Sequence, residues 1–379
     1  MKFVLAPDSF KESMSAKTAA FAMKKGIMKV FPEAECVIVP MADGGEGTLE
    51  SLVSATEGEI IKTDVIGPLG KKVTAEYGLL GDSETAVIEM ASASGLQLIK
   101  PEDRNPLHTT SYGTGQLIKH ALDKGVNRIL IGIGGSATND GGVGMLQALG
   151  VSFKDKDGEE LPFGGGALKH LHTIDTSGLD ERIHNVQIDV ACDVNNPLIG
   201  PTGASVIFGP QKGATRDMVT ILDHNLTHYA KVIKEQLGED IAFVAGAGAA
   251  GGMGAGLLAF LSARLKKGID LVIEYTRLEE YVKDADFVFT GEGSIDGQTL
   301  YGKTPYGVAT VAKKYSVPVI AFAGKIGNDI DALYENGFNA IVGILKEVTS
   351  LKESLESGES NLAFATENVC RILKINRID

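Results

Sequence analysis

Two stretches of alternating strand-like and helix-like sequence, one at each end of the chain, constrain its fold most. Near the amino terminus, apolar runs over residues 2–7 and 36–40 flank an amphipathic segment over residues 15–31, which predicts a β-α-β unit. The carboxy-terminal part repeats the alternation, with predicted strands over residues 286–290, 317–323 and 340–344 and predicted helices over residues 305–315, 330–336 and 360–373. Strands that alternate with helices form parallel sheets covered on both faces. The sequence therefore predicts a doubly wound α/β domain built from both ends of the chain.

The middle of the chain has a different pattern. It contains strand-like runs over residues 72–80, 85–90 and 128–133, helix-like segments over residues 115–124 and 216–237, and much glycine. A chain of 379 residues also exceeds the size at which one hydrophobic core stops growing. We therefore predict two α/β domains. A discontinuous flavodoxin-like or Rossmann-like domain comprises residues 1–59 and 284–379, and an inserted domain comprises residues 60–283.

Charge and hydropathy exclude several functional classes. A net charge of −13 disfavours binding to nucleic acid or to anionic lipid, both of which require basic surfaces. The three cysteines are far apart and odd in number, which disfavours a disulfide framework or a thiolate metal site. The chain lacks a long uncharged apolar run and a secretory signal, so we predict a cytoplasmic protein. We expect its partners to be small molecules, and the chain to be a monomer or a homodimer.

Two glycine-rich segments resemble dinucleotide-binding loops. Residues 132–137 match G-x-G-x-x-A, and residues 246–251 match G-x-G-x-x-G. Each follows an apolar run and precedes a helix, so its backbone N–H groups could bind an anion. Such a match is weak in a chain with 47 glycines, because glycine also lets a helix pack closely against a strand. These segments leave open an alternative function, that of an NAD-dependent hydroxy-acid dehydrogenase.

A third segment, residues 297–304, spells the P-loop string G-x-x-x-x-G-K-T. In a P-loop the glycine turn leaves the strand directly, and the Lys and Thr lie in the first helical turn. Here the predicted strand ends near Thr290, and Pro305 suits the first helical position with Thr304 as N-cap. We therefore predict that the string does not form a P-loop, although Lys303 remains a candidate phosphate ligand.

Several acidic residues directly follow apolar runs: Asp8, Asp43, Asp193 and Glu292. In an open parallel sheet, ligands bind at the carboxyl ends of the strands. Magnesium prefers oxygen ligands and bridges substrate phosphates, so carboxylates in these positions suit nucleotide chemistry. Any one of them could instead cap a helix or form an Asx-turn. The seven histidines show no metal-ligand spacing, and no G-x-S-x-G elbow or catalytic cysteine context appears, which disfavours hydrolytic chemistry.

Six segments in this order resemble the bacterial type-I glycerate kinases. They are APDSFK from residue 6, MADGGEGT from residue 41, GIGGSATNDGG from residue 132, CDVNNPL from residue 192, FGPQKGA from residue 208 and TGEGSIDGQT from residue 290. The resemblance extends from Met1 to the last predicted helix. The chain departs from the family pattern at Glu12, where glycine is common. We expect that departure to be tolerated.

The resemblance implies a two-domain enzyme that uses ATP and Mg²⁺ to phosphorylate D-glycerate in a cleft between the domains. It also implies a set of site residues. Those expected to be catalytic or to bind substrate and nucleotide are Asp8, Ser9, Lys11, Gly44, Gly45, Glu46, Gly134, Gly135, Ser136, Thr138, Asn139, Asp140, Asp193, Asn196 and Glu292. Lys303 is added to them as the candidate phosphate ligand described above, on the ground of its position and not of the resemblance. Asp43 and Asp296 also belong to the implied set, and we assign them as metal ligands as a hypothesis from the chemistry of phosphoryl transfer.

Individual roles within this set are hypotheses drawn from the needs of phosphoryl transfer, which are positioning and charge neutralisation. Asp193 is assigned as the base that deprotonates the attacking hydroxyl, and Lys11 as the cation that neutralises carboxylate or phosphoryl charge. Asp8 is counted with them as catalytic. We favour the 2-hydroxyl and therefore 2-phosphoglycerate as the product. Three alternatives remain: a kinase that forms 3-phosphoglycerate, the dehydrogenase, and a non-catalytic hydroxy-acid sensor.

Overall fold

The structure is a computed structural model that describes residues 1–45 and 47–375. Its β-strands in chain order are β1 (Lys2–Leu5), β2 (Glu35–Ile38), β3 (Glu59–Ile66), β4 (Lys72–Leu79), β5 (Thr85–Glu89), β6 (Arg128–Gly132), β7 (Ser152–Lys154), β8 (Thr173–Asp175), β9 (Gln187–Ala191), β10 (Arg264–Lys266), β11 (Phe287–Ile295), β12 (Val319–Ile326) and β13 (Ala340–Gly343). Its α-helices are α1 (Ala16–Met28), α2 (Thr48–Ala55), α3 (Ala91–Ser94), α4 (Tyr112–Asp123), α5 (Val143–Ala148), α6 (Ala204–Phe208), α7 (Arg216–Leu237), α8 (Ala249–Leu261), α9 (Gly268–Thr276), α10 (Leu278–Val282), α11 (Thr304–Lys314), α12 (Asp331–Glu335), α13 (Leu351–Glu356) and α14 (Gly358–Ile375).

These elements divide into two compact units. Residues 1–57 and 267–379 form the first, and residues 58–266 form the second. Residues 267–283, which the sequence analysis placed in the inserted domain, group with the first unit because α9 contacts α2 and α11. The assignment of two independent domains remains a prediction.

The first unit contains an all-parallel sheet. In the described residues its strand order is β13-β12-β11-β1-β2, so strands from the two ends of the chain lie side by side. β1 pairs with β11 in the register Phe3 with Phe287 and Leu5 with Phe289, and with β2 on its other side. A parallel sheet with interspersed helices agrees with the predicted α/β fold class.

Helix α1 shows how the sequence determines one layer of this unit. Its N-cap is Ser15, whose side chain accepts a hydrogen bond from the backbone N–H of Thr18. Its buried face contains Ala19, Met23 and Ile27, which recur at helical spacing. That face contributes to the unit's hydrophobic core, and α1 also contacts α14. At Gly26 a Cβ atom would lie 2.5 Å from the carbonyl oxygen of Ala363, so glycine permits the close approach of the two helices.

The second unit contains a mixed sheet of order β10-β9-β6-β5-β4-β3 among the described residues. The pairs from β10 to β5 are parallel, whereas β3, β4 and β5 pair antiparallel. Its core surrounds this sheet and includes much of α8, which is buried along most of its length. The predicted helix over residues 216–237 is α7.

The glycine-rich segment before α8 packs closely against other loops. Ala250, Gly251 and Gly252 have left-handed φ values of 54°, 68° and 88°, which kink the start of this helix. A Cβ atom on Gly251 would lie 2.0 Å from the carbonyl oxygen of Thr138. Close backbone packing thus accounts for glycine here. No described helix is both long and apolar enough to span a membrane.

Candidate active site

The carboxyl edge of the first unit's sheet lines a large cleft. Its volume is 940 Å³, and it lies entirely within the first unit. β1 leads into Asp8, and β11 carries Glu292 near its carboxyl end. Six of the predicted site residues line this cleft: Asp8, Ser9, Lys11, Asp43, Glu292 and Lys303. The parallel order of the strands thus brings together residues from both ends of the chain.

Asp8 is half-buried and has few hydrogen-bond donors around it. Its carboxylate accepts a bond of 2.6 Å from the backbone N–H of Ser9 and one of 2.5 Å from the hydroxyl of Thr304. Burial raises the pKa of Asp8 to about 6 despite these two bonds, and the negative charge of Asp43 adds to the rise. This carboxyl group therefore lies in a poorly solvated place beside a second carboxylate.

Glu292 lies beside a lysine at the same edge of the sheet. Its side chain is 13% exposed, and Oε1 lies 3.2 Å from Nζ of Lys303 and 3.2 Å from the hydroxyl of Thr299. Burial raises the pKa of Glu292 to about 7 and outweighs the ion pair with Lys303, and the charge of Asp8 acts in the same direction. We refer to Asp8, Glu292 and Lys303 as the strand-end cluster.

The loop after β2 contributes Asp43 to the cleft. Its carboxylate accepts a hydrogen bond of 3.1 Å from the N–H of Gly45, and the left-handed φ of Gly44, 92°, turns the chain there. The hydroxyl of Thr48 then donates to the carbonyl of Gly45, at the start of α2. The predicted site residue Glu46 lies outside the described residues.

Asp296 has a capping role in the structure. Its carboxylate accepts a hydrogen bond of 2.9 Å from the N–H of Gln298 at the start of a short helical turn, Gly297–Leu300. It is not among the residues that line the cleft. In the described part of the chain, no group of three or more His, Cys, Asp or Glu side chains is placed to hold a metal ion. The assignment of Asp43 and Asp296 as metal ligands remains a prediction.

Residues 297–304, which spell the P-loop string, do not adopt the strand-turn-helix geometry of a P-loop. β11 extends to Ile295, five residues beyond the predicted end, and the turn over Gly297–Leu300 separates it from α11. The expectation that Thr304 is the N-cap of α11 was wrong by one residue, because Lys303 occupies the N-cap position. The hydroxyl of Thr304 is therefore available to donate to Asp8.

The remaining predicted residues belong to the second unit. β6 and β9 are parallel neighbours, so the loops that follow them leave the same edge of the sheet. Gly134 and Gly135 after β6 are exposed, as is Asp193 after β9, whereas Ser136 is buried. Asn196 is half-buried, and its amide donates a hydrogen bond of 2.8 Å to the carbonyl of Thr202.

Thr138, Asn139 and Asp140 form a buried loop (residues 138–140) in this unit. The carboxylate of Asp140 accepts hydrogen bonds from the N–H and hydroxyl of Ser111 and from the N–H groups of Gly142 and Gly144. Burial raises the pKa of Asp140, while those four bonds act to lower it. This number of donors indicates that Asp140 organises the backbone around it.

Sequence analysis did not single out Lys212, which is 1% exposed. Its ammonium group donates a hydrogen bond of 2.7 Å to the carbonyl of Thr138, in the buried loop. Burial lowers the pKa of Lys212 to about 7, although the negative charge of Asp140 opposes the shift. The only sequence signal for this residue was its place in the FGPQKGA segment, which was noted as a motif.

Comparison with known proteins identifies the family. The model of the Glycerate kinase family matches residues 3–374. A glycerate kinase of Halalkalibacterium halodurans is 55% identical over 374 residues, covering 99% of this chain and 98% of that protein. The glycerate 2-kinase of Escherichia coli is 53% identical over 375 residues, with coverage of 99% and 98%. The chain belongs to the glycerate kinase family.

A solved structure supports the same family. The crystal structure of a putative glycerate kinase 2 from Salmonella typhimurium matches with a TM-score of 0.92 and 49% identity, covering 100% of this chain and 99% of that one. The predicted family and α/β fold class are thus confirmed, as is the prediction of a phosphotransferase. This membership decides against the dehydrogenase and the non-catalytic sensor.

The one departure from the family pattern has a structural explanation. Glu12 has a φ of 63°, in the left-handed region where glycine is favoured and other residues are strained. Its exposed side chain lies at the rim of the cleft. A glycine at this position of the glycerate kinase family would adopt the same turn without that strain.

Proposed function

We propose that this protein transfers the terminal phosphoryl group of ATP to D-glycerate and forms 2-phosphoglycerate. The observation that carries the proposal is the strand-end cluster, which faces the 940 Å³ cleft in a chain of the glycerate kinase family. Phosphoryl transfer requires positioned charges around a highly anionic transition state. A site with two carboxylates and a lysine at the carboxyl ends of parallel strands suits that requirement.

The residues at this edge fit a magnesium ion bound with a nucleotide. Burial raises the pKa values of Asp8 and Glu292, with a further rise from the charge of Asp43 on Asp8 and from the charge of Asp8 on Glu292. Magnesium is bound through one or two carboxylates together with substrate phosphates and water, so a preformed cage of protein ligands is not required. One or two of the carboxylates of Asp8, Asp43 and Glu292 would hold the ion, which would neutralise phosphate charge when bound. Asp296 fits this role less well because its carboxylate caps a helical turn.

Two other residues carry hypotheses about chemistry. Lys11 is exposed and lines the cleft, where its ammonium group could neutralise an organic carboxylate or a phosphoryl group. Asp193 is exposed after β9, and we retain it as the proposed base for the attacking hydroxyl. Binding of glycerate between two domains remains part of the proposal. The name of the E. coli relative, glycerate 2-kinase, favours attack by the 2-hydroxyl.

The primary experiment is a coupled ADP-release assay with ATP, Mg²⁺ and D-glycerate, with the product resolved by phosphorus NMR. We expect ADP release that depends on glycerate, together with a 2-phosphoglycerate signal. A 3-phosphoglycerate signal would support the kinase activity but show that the 3-hydroxyl, not the 2-hydroxyl, attacks the phosphoryl group. Turnover with a different hydroxy acid, and none with D-glycerate, would contradict the proposed substrate.

The base assignment has its own test. Replacement of Asp193 by Asn keeps the side-chain size and removes the proton acceptor. We expect kcat to fall about 100-fold or more, within the usual contribution of general base catalysis. A fall of less than tenfold, about 1.4 kcal/mol of barrier, would show that another group accepts the proton.

A further inference from the structure

The cleft in the first unit has two chemically different ends. The end at β1 and β11 holds the strand-end cluster with Asp43 and Lys11. The rest of the cleft is lined by aliphatic side chains at the ends of β12 and β13 and in the chain that follows β13, which we call the apolar end: Ile326, Ile344, Leu345, Leu351 and Leu355. None of these five residues is used by the proposed chemistry.

The apolar end leaves aliphatic surface in water. Ile326 is 39% exposed, Leu345 50% and Leu351 75%. Isolated exposed leucines are common on proteins. Here, however, three exposed aliphatic side chains line the same concave surface as a charged cluster, and apolar concave surfaces with a few convergent polar groups are typical of ligand sites.

We infer that the apolar end binds the nucleobase of the ATP substrate. This inference rests on the proposed function and names the part of the cleft that its nucleotide occupies. Of the two substrates, glycerate has an oxygen on each of its three carbons and has no apolar face to bury. The planar base of a nucleotide has two such faces, so it is the part of the substrates whose burial the exposed side chains of Ile326, Leu345 and Leu351 would favour.

The spacing of the strands fits a nucleotide that lies across the sheet edge. In the order β13-β12-β11-β1, three strand spacings separate the end near Ile344 from the end near Asp8. Each spacing is about 4.8 Å, so the two ends are separated by about 14 Å. An extended nucleoside triphosphate spans such a distance, with its base at β13 and its phosphates at β11 and β1.

The basic residues of the cleft lie beside the strands where this orientation puts the phosphates or on the strand next to them. Lys325 near the end of β12, Lys11 after β1 and Lys303 at the start of α11 all line the cleft. Lys11 and Lys325 form no ion pair with a carboxylate among residues 1–45 and 47–375. Their charges are therefore available to anionic oxygens.

The test distinguishes binding of the nucleobase from binding of the phosphates. ADP and pyrophosphate carry two phosphates each, but only ADP has a base. Their affinities, measured by calorimetry or by competition at fixed Mg²⁺, are compared for the wild type and for the double variant Leu345→Asn/Leu351→Asn. We expect the Kd of ADP to rise about tenfold, equivalent to about 1.4 kcal/mol, with the Kd of pyrophosphate unchanged.

A matched control lies in the same loop. Val348 is fully exposed and does not line the cleft, so Val348→Asn should leave both affinities unchanged. Leu345 and Leu351 are exposed enough for the double variant to fold, which a thermal melt verifies. An equal weakening of ADP and pyrophosphate would overturn the inference, and so would an unchanged affinity for ADP.

Failure of the inference is distinguishable from failure of the proposed function. Turnover of ATP and D-glycerate by the wild type tests the function alone. If the wild type turns over and the double variant raises the KM for glycerate but leaves that for ATP unchanged, the apolar end does not bind the base and the function stands. We expect the opposite pattern, with the KM for ATP raised and that for glycerate unchanged.

Discussion

Asp8 and Asp140 both follow parallel strands in glycine-containing sequence, but they differ in burial and in the number of hydrogen bonds that they accept. Asp8 receives two hydrogen bonds and faces a cleft. Asp140 is 1% exposed and receives four hydrogen bonds from the protein around it. Burial raises the pKa of both carboxyl groups, so a raised pKa alone does not distinguish a site from a structural element. The number of donors distinguishes them.

The charged groups around Asp8 and around Asp140 also differ. The strand-end cluster holds two acidic groups beside one lysine and is open to a cleft, so further positive charge or a ligand would stabilise it. The buried loop has a basic group near it, because Lys212 donates to the carbonyl of Thr138 and lies close enough to Asp140 for the two charges to interact. We therefore expect the first region to control activity and the second to control stability.

Removal of the Asp140 carboxylate should give the largest effect. Asp140→Ala leaves four donors without their acceptor in a buried site, and each unsatisfied buried group costs about 1–3 kcal/mol. We expect the free energy of unfolding to fall by about 4 kcal/mol, measured by urea denaturation. Asp175→Ala is the control, because this half-buried carboxylate accepts hydrogen bonds, among the described residues, only from Ser177 and its removal should change the free energy of unfolding much less. If Asp140→Ala and Asp175→Ala lost similar free energies of unfolding, the hydrogen bonds to Asp140 would not have the structural role that we assign to them.

Asp8→Asn should show the reverse pattern. We expect kcat/KM for ATP and glycerate to fall at least about 100-fold, equivalent to about 2.7 kcal/mol. The free energy of unfolding should stay the same or increase, because the neutral amide removes the cost of a half-buried charge near Asp43. Thr304→Val is a useful companion, since it removes one donor and keeps the carboxylate. Activity within tenfold of the wild type would place Asp8 with Asp140 as a structural residue.

The raised pKa of Glu292 predicts how the free energy of unfolding depends on pH. Its pKa is about 7 in the folded protein and near 4.5 when unfolded, so the folded state binds the proton more tightly. Its contribution to stability is present below pH 4.5 and is lost as the pH rises to about 7. Compared with Glu292→Gln, the wild type should lose about 1–3 kcal/mol over this interval.

Urea denaturation at several pH values measures this difference. The exposed Glu356, whose side chain lies 3.9 Å from Lys352, offers a control, and Glu356→Gln should follow the wild type. If the curves for the wild type and for Glu292→Gln stayed parallel, the ion pair with Lys303 would have compensated the burial of Glu292. The strand-end cluster would then resemble the buried loop more than we propose.

The smallest expected effect concerns Glu12, at the rim of the same cleft. Glu12→Gly should raise the free energy of unfolding by about 0.5–1 kcal/mol, because glycine adopts the φ of 63° without strain. Thermal denaturation measures the change in stability. Kinetic assays measure the activity, which we expect to be retained. Lys17→Gly on the exposed side of α1 is the control and should lower stability by about 1 kcal/mol. A loss of stability in Glu12→Gly would show that the Glu12 side chain makes a stabilising contact.

The sequence predicted the order of strands and helices well but not the extent of every strand. Periodicity located the strand before Glu292 and ended it near Thr290, whereas β11 runs to Ile295. The additional residues are paired with β12, with Glu292 opposite Ala323 and Ser294 opposite Lys325. Polar residues that face a cleft lack the apolar pattern on which the prediction depended.

Contacts between distant residues could not be predicted. The hydrogen bond from Thr304 to Asp8 joins residues 296 positions apart, and neither residue alone indicates it. The same limit applies to Lys212, since a lysine is usually exposed and its burial follows from the packing of Thr138 and the surrounding loops. Acidic residues after strands were found because that pattern is local, but their hydrogen-bond donors are not.

The pairing of β1 with β11 also affects how the protein is made. β1 ends at Leu5 and β11 begins at Phe287, so the ribosome must add residues 6–286 before the two strands can meet. At a usual rate of synthesis this takes on the order of 15–60 s. During that interval the chain of residues 58–266 is completed, while one edge of β1 has no native partner. Unpaired strand edges promote association between nascent chains, so the discontinuous unit is the part of this protein for which we expect chaperones to matter most.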